Sequence, residues 1–269
     1  MITALEESLA FIRQRTLFTP SIGIILGTGL GDLVNRIEVE VSIDYAAIPH
    51  FPLSTVETHQ GRLVFGHLEG QKVVVMQGRF HYYEGYTKAQ ITYPVRIMKM
   101  LGIERLFVSN IAGGIHPQFE LGDLMVIEDH INLHPDNPLR GKNLDNFGPR
   151  WPDMYEPYDR QMIDRAMDFG KAKGYRMFEG VYVSVPGPNL ETRAEYRYLA
   201  HIGAHAVGMS TVPEVIVARH MDIPVFAISA ISDLCYAPRL KPANIQELLE
   251  AAAQAQPKIT EVFCSLLRE

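Results

Sequence analysis

Apolar residues along this chain alternate between short unbroken runs and longer stretches with helical spacing. Residues 2–15 carry Leu5, Leu9 and Ile12 on one side, the repeat of an amphipathic helix. SIGIIL (21–26) has no polar gap and predicts a buried strand ending at Gly27. RLVFGHLEGQKVVVMQG reads as two strands joined around Glu69-Gly70, a hairpin signal. Residues 88–101 suit a helix packed through Ile91, Val95, Ile97, Met98 and Leu101. A buried strand at 104–110, stopped by Gly113-Gly114, and a strand in DLMVIEDHI follow. Residues 132–157 lose all periodicity and gather Pro, Asn, Gly and Asp, which predicts a long surface segment. Beyond it the pattern predicts helix 158–173, strand 179–185, helix 191–202, strand 205–208, helix 211–221, strand 223–230 and a long helix from about 243. Strands alternating with helices over 1–269, with no repeat or linker, predict one α/β domain.

Composition narrows the function classes. A chain of 269 residues that is 47% hydrophobic and 21% charged can bury a large core. The net charge of -6 argues against nucleic acid as the main partner. Cys235 and Cys264 have neither zinc spacing nor a disulfide framework. No apolar run is long enough to span a bilayer, and no secretory pattern opens the chain. The expectation is a cytoplasmic protein with no membrane partner.

Candidate chemistry sits at the ends of predicted strands, where α/β proteins place their sites. In ILGTGLGDL, the backbone N–H groups of Gly27 to Gly31 and the Thr28 hydroxyl can hold an anion. The dinucleotide fingerprint fails there, because Asp32 stands three positions after Gly29, and a P-loop would need a Lys. A plain strand-helix turn is the other reading. In MQGRFHYYEGY, Arg79 offers a two-toothed grip on an oxyanion, and Glu84 can orient the His81 ring. His59 and Arg62 of THQGRL form a second cationic pair, although single Arg and His residues are usually solvated surface groups.

GPNLETRAEYRYLAHIGAHAVGMSTVPEV brings Glu191 to one predicted helix start and Gly208, Met209 and Ser210 to another. Glu191 can equally be a first-turn acid facing a helix dipole. Asp233, in SAISDLC, can be an N-cap or turn former. Met209 can be core, and Tyr83 and Trp151 can be interface aromatics. His130, His134 and His220 make no metal constellation.

Read together, these stretches resemble the trimeric type of purine nucleoside phosphorylase, from about residue 20 to 250. NIAGGIHPQFELGDLMVIEDHINL, GPNLETRAEYR and VGMSTVPEVIVARH carry the resemblance in family order. The related methylthioadenosine phosphorylases share MSTVPE but differ at HQGRLVFG and QGRFHYYEGY. The resemblance implies a mixed, distorted central sheet flanked by helices, and a homotrimer with sites at subunit interfaces. It implies reversible phosphorolysis of purine ribo- or deoxyribonucleosides in purine salvage. Inorganic phosphate would be the co-substrate, with no organic cofactor and no metal.

Carried over by position, the phosphate site would comprise Thr28, His59, Arg79, His81, the Ile111 N–H and Ser210. Tyr83 and Met209 would meet the ribose, and Glu191 the purine N1–H edge. Ala112, Gly113, Leu190 and Val207 would wall the base pocket. Trp151 would reach a neighbouring subunit's site. His81, Glu191 and Asp233 would be the catalytic groups.

Four positions depart from the family pattern. Thr28 replaces a common Ser but keeps the hydroxyl, and Leu190 replaces an aromatic. Asp233 replaces the Asn of inosine- and guanosine-cleaving members. An ionised Asp only accepts hydrogen bonds, so it needs a proton or a water to serve N7 of a 6-oxopurine. It would accept directly from a 6-amino group. Ile245 replaces a His that meets the ribose 5′-OH, which could tolerate a 5′-methylthio group. The expected substrates are inosine and guanosine, with adenosine or 5′-methylthioadenosine as the alternative.

Overall fold

In the computed structural model, residues 1–55 and 60–268 are described. The apolar run 22–25 forms β1 (Ile22–Ile25), buried at every position. It lies parallel to β4 (Gln71–Gln77) on one side and β5 (Arg105–Gly114) on the other. β3 (Arg62–Leu68) pairs antiparallel with β4 through the predicted hairpin. Its two turn residues, Glu69 (φ 51°) and Gly70 (φ 79°), both have the positive φ that a tight two-residue hairpin needs. Outside β3 runs β2 (Glu38–Asp44), which is not among the elements predicted above. It is an edge strand with only Ile43 buried, although Val39, Val41 and Ile43 alternate with polar residues in the period of a strand.

The second half of the sheet contains β6 (Leu124–Asn132), β7 (Met177–Ser184), β8 (Ala206–Gly208) and β9 (Val225–Leu234). The nine strands run in the order β2-β3-β4-β1-β5-β8-β7-β6-β9, and β9 also pairs with β5. β5, β8, β7, β6 and β9 therefore close on themselves, with parallel and antiparallel pairs mixed. This closure is the distortion that the resemblance implied.

Two strands run further than their apolar cores suggest. β5 runs past Asn110 and ends on Gly113-Gly114, which pair with both β8 and β9. A Cβ on Gly113 would stand 2.7 Å from Cys235 Sγ, and one on Gly114 2.8 Å from Ile231 Cγ2. The glycines leave room for the side chains of Cys235, Asp233, Ile231 and Phe119 that crowd the strand end. β9 likewise runs on to Leu234, so Asp233 is a strand residue and not a helix cap.

The helices are α1 (Ile2–Arg13), α2 (Lys88–Ile91), α3 (Tyr93–Leu101), α4 (Arg160–Lys173), α5 (Arg193–His201), α6 (Val212–His220) and α7 (Ile245–Leu267). The helix expected over 88–101 divides at Thr92, beside Pro94 in the first turn of α3. α7 packs on β9 and β5, and α4 on β6 and β7. Residues 133–159 contain no helix or strand.

Candidate active site

The closed half of the sheet opens into a cavity of about 320 Å³. Fourteen predicted residues line it: Thr28, Arg79, His81, Tyr83, Ile111, Ala112, Gly113, Leu190, Glu191, Val207, Met209, Ser210, Asp233 and Ile245. They come from the turn after β1, the segment after β4, the end of β5, both sides of β8, the end of β9 and the start of α7. Trp151 does not join them. It is 87% exposed and borders a separate cavity with His130, His134 and Arg150. His59 lies outside the described residues. Arg62 instead bonds Gln77 across the β3–β4 hairpin (2.7 Å).

At one end, Arg79 is buried, with 1% of its surface exposed. Its Nη1 donates to Ser210 Oγ (2.8 Å) and Thr211 Oγ1 (3.0 Å). Its Nη2 donates to the carbonyls of Ile25 (3.3 Å) and Ser109 (2.7 Å). The four terminal protons of the guanidinium are thus committed to protein, so the expected two-toothed grip on an anion is not offered. Burial lowers the Arg79 pKa, and Glu214 on α6 opposes that shift, with Oε1 4.0 Å from Nε.

The fork of Arg79 clamps an unusual turn. Thr211 has φ 70° and ψ -55°, and Val212 N–H donates to the Ser210 carbonyl (2.8 Å). This is a γ-turn of the rare, strained hand, on a β-branched residue. Strain of this kind persists only where the surroundings over-determine it, and it concentrates at functional sites. Thr211 Oγ1 also accepts from Asn110 Nδ2 (2.9 Å), which fills both of its lone pairs. Its proton is then directed at Ser210 Oγ, 3.3 Å away. Ser210 Oγ accepts from Arg79 and Thr211, so its own proton remains for the cavity.

His81 stacks on Tyr83 (ring centroids 4.7 Å apart, 14° between planes). Its Nδ1 lies 2.9 Å from Glu84 Oε1, which also accepts from the His81 backbone N–H (2.7 Å). The carboxylate can only accept, so Nδ1 carries a proton. Burial works to raise the Glu84 pKa, but hydrogen bonds from His81 and Thr55 overcome it and hold the carboxyl down at about 2. The Tyr83 phenol is pushed up to about 12 by burial and by Glu84.

At the other end, Glu191 is not a first-turn acid. Thr192 caps α5 and Glu195 returns to the Thr192 N–H (2.7 Å), so the helix start is already satisfied. Glu191 stands one residue outside, beside Tyr196. Burial raises its pKa, with Asp233 and Glu195 adding to the shift and hydrogen bonds from its own backbone and Tyr196 opposing it. Asp233 Oδ1 accepts from Ser232 Oγ (2.9 Å), and Oδ2 accepts from Cys235 Sγ (2.9 Å). Burial and Asp233 push the Cys235 thiol up. Tyr196, Ser232, Asn110, Cys235 and Thr211 were missed by sequence reasoning. Each of them nevertheless stands inside a motif that drew attention for another residue.

An anion end and a carboxylate end, joined by an apolar wall of Ala112, Gly113, Leu190 and Val207, make a site for a bipartite ligand. A family profile described as the phosphorylase superfamily matches residues 21–268. Purine nucleoside phosphorylase 1 of Geobacillus stearothermophilus is 48% identical over 266 residues, covering 99% of this chain and 97% of that protein. The chain belongs to the purine nucleoside phosphorylase family. Two crystal structures of schistosome members of this family are each 40% identical and cover all of this chain and 97% of theirs. One, in complex with hypoxanthine, superposes with a TM-score of 0.94. The other, from Schistosoma mansoni in complex with adenosine, superposes with a TM-score of 0.93. Among the described residues of this family member, no three His, Cys, Asp or Glu side chains group to hold a metal ion. No helix of those residues is long and apolar enough to cross a membrane.

Proposed function

We propose that this chain catalyses reversible phosphorolysis of purine nucleosides, giving a free purine and a pentose 1-phosphate. The observation that carries the reading is one cavity with the Ser210 and Thr28 hydroxyls, His81 and the buried Arg79 charge at one end and Glu191 with Asp233 at the other. Phosphate sits among the Ser210 proton, the Thr28 hydroxyl, the Ile111 N–H and His81, with His59 expected to complete the site. Arg79 supplies charge and holds Ser210 in place. Tyr83 and Met209 flank the sugar.

The glycosidic C–N bond breaks with its electron pair going to the purine, and a phosphate oxygen attacks the anomeric carbon from the opposite face. The protein lowers the barrier by holding the anion in line and stabilising the leaving base. Glu191, with its raised pKa, handles the purine edge, and Asp233 serves the adjoining ring. No protein nucleophile is needed. Phosphate acts as co-substrate, and neither an organic cofactor nor a metal takes part.

Inosine and guanosine are the expected substrates, in line with hypoxanthine in one schistosome relative. Asp233 favours a second reading. Both of its oxygens already accept from protein donors, which suits a ligand that donates, such as a 6-aminopurine. Ile245, which is 65% exposed, offers the sugar no hydrogen bond from its side chain. The working unit is a single domain over 1–269, cytoplasmic, and assembled as a homotrimer. The exposed Trp151 and Tyr155 of the 133–159 segment support an interface there.

The test is release of free base from inosine, guanosine, adenosine and methylthioadenosine, with and without phosphate. Phosphate-dependent turnover of at least one supports phosphorolysis, and preference for the 6-oxo pair supports the first specificity. Preference for the 6-amino pair makes Asp233 an amino-group acceptor. Absence of phosphate-dependent turnover on all four would overturn the reading.

A further inference from the structure

Outside the cavity, a buried lysine begins a chain of hydrogen bonds that ends on the phosphate-site turn. Lys88, in the first turn of α2, is 1% exposed. Its Nζ lies 2.7 Å from His134 Nδ1 and 4.5 Å from the centre of the Tyr82 ring. His134 Nε2 lies 2.8 Å from Ser184 Oγ at the end of β7. Ser184 Oγ donates to the carbonyl of Ser210 (2.9 Å).

Chemistry fixes the direction of every link. An ammonium only donates, so His134 Nδ1 accepts. In the neutral ring Nε2 then carries the proton and donates to Ser184. The Ser184 proton is left for the Ser210 carbonyl. The neutral ring is the stable one, because burial and Lys88 bring the His134 pKa down to about 4. Lys88 faces Glu214 from α6 and Asp136 from the 133–159 segment. Burial lowers its pKa to about 8 against their attraction.

The Ser210 carbonyl is one half of the strained γ-turn. Arg79 and Asn110 hold the Thr211 side of that turn, and Ser184 holds the Ser210 side. Burying a lysine is costly unless it is paired, and the hydrogen bond from Lys88 to His134 leads to that carbonyl. The same relay ties that carbonyl to the long segment that carries Trp151.

We propose that Lys88 is a positioning residue for the phosphate site, acting through His134 and Ser184 to hold the Ser210 carbonyl and so aim the Ser210 hydroxyl. This rests on the assignment of phosphate to Ser210. Lys88, His134 and Ser184 do not line the cavity, so their effect is on phosphate affinity and not on purine handling.

The experiment is steady-state kinetics of the full chain with the nucleoside it turns over fastest, varying phosphate. The variants are Lys88→Met, Ser184→Ala, their double, and Ser210→Ala. Loss of one well-placed hydrogen bond predicts a phosphate KM raised about 3- to 10-fold in Lys88→Met and in Ser184→Ala. The nucleoside KM and kcat should stay within about two-fold. The double variant should be no worse than the more affected single, because both cut one relay. Unchanged phosphate KM in both singles overturns the proposal, as does multiplication of their effects in the double. A parallel rise in nucleoside KM also overturns it, because a general loss of structure would do that. Where Lys88→Met is unfolded, Ser184→Ala, which removes one hydroxyl, decides the matter by the same criteria. If Ser210→Ala leaves phosphate KM unchanged, the phosphate assignment itself fails and the proposal falls with it. A raised KM there with silent Lys88 and Ser184 variants refutes the relay alone.

Discussion

Arg79→Ala should first be a folding variant and only second a phosphate variant. The side chain is 1% exposed and its four terminal protons bond Ile25, Ser109, Ser210 and Thr211. Removing it leaves buried acceptors with fewer donors and strips Glu214 of the guanidinium 4.0 Å away. Breaking a buried pair by deleting one partner costs about 3–5 kcal/mol. That is a large part of the stability of an ordinary domain, about 5–15 kcal/mol. For a chain of this size the loss corresponds to a Tm lowered by roughly 10 °C. Urea unfolding followed by circular dichroism measures it, with phosphate KM taken on the same preparation at a temperature where the variant is folded. Arg79→Lys keeps the charge but has three protons for four acceptors, so its midpoint should fall between those of wild type and Arg79→Ala. An Arg79→Ala protein with the wild-type midpoint and only a raised phosphate KM would refute this reasoning. The guanidinium would then serve the anion directly, with its protein bonds dispensable.

Two further outcomes follow from the site. Glu84 has a folded pKa near 2 against an ordinary 4.5, so the stability it adds is complete above about pH 4.5 and is lost as pH falls toward 2. Urea midpoints of wild type and Glu84→Gln should therefore converge between pH 5 and pH 3, and a constant gap would contradict the assignment. Gly113→Ala would put a methyl 2.7 Å from Cys235 Sγ and 3.3 Å from Asp233 Oδ2. That overpacking, about 1–3 kcal/mol, should raise the nucleoside KM while sparing the phosphate KM. Equal effects on both would show that the β5–β9 contact does not belong to the base end.

The alternation of β and α elements was legible because each has its own apolar period. β1, β4 and the Glu69-Gly70 hairpin stand where the pattern puts them, and α4 begins one residue past its Asp159 cap. β2 was legible too, because Val39, Val41 and Ile43 alternate with polar residues, but the pattern was passed over between the stronger apolar runs. The family resemblance also brought out fourteen of the cavity residues, most of them close to strand ends.

Partnership was a different matter. Gly113-Gly114 does end β5, but only the fold shows that both glycines still pair with β8 and β9. Asp233 looks like a cap and ends β9 with both oxygens occupied. Arg79 looks like an open fork for an anion, yet its fork closes on residues 25, 109, 210 and 211. Lys88, His134 and Ser184 carry no motif at all, and their relay joins α2, the long segment and β7. Local sequence determined which elements form and which side chains reach strand ends, because periodicity and turn chemistry act over a few residues. Apart from His81, whose partner Glu84 stands three residues on, tertiary structure decided what those side chains bond to. A hydrogen bond is set by ångström-scale distance, and the partners here lie up to 132 positions apart along the chain.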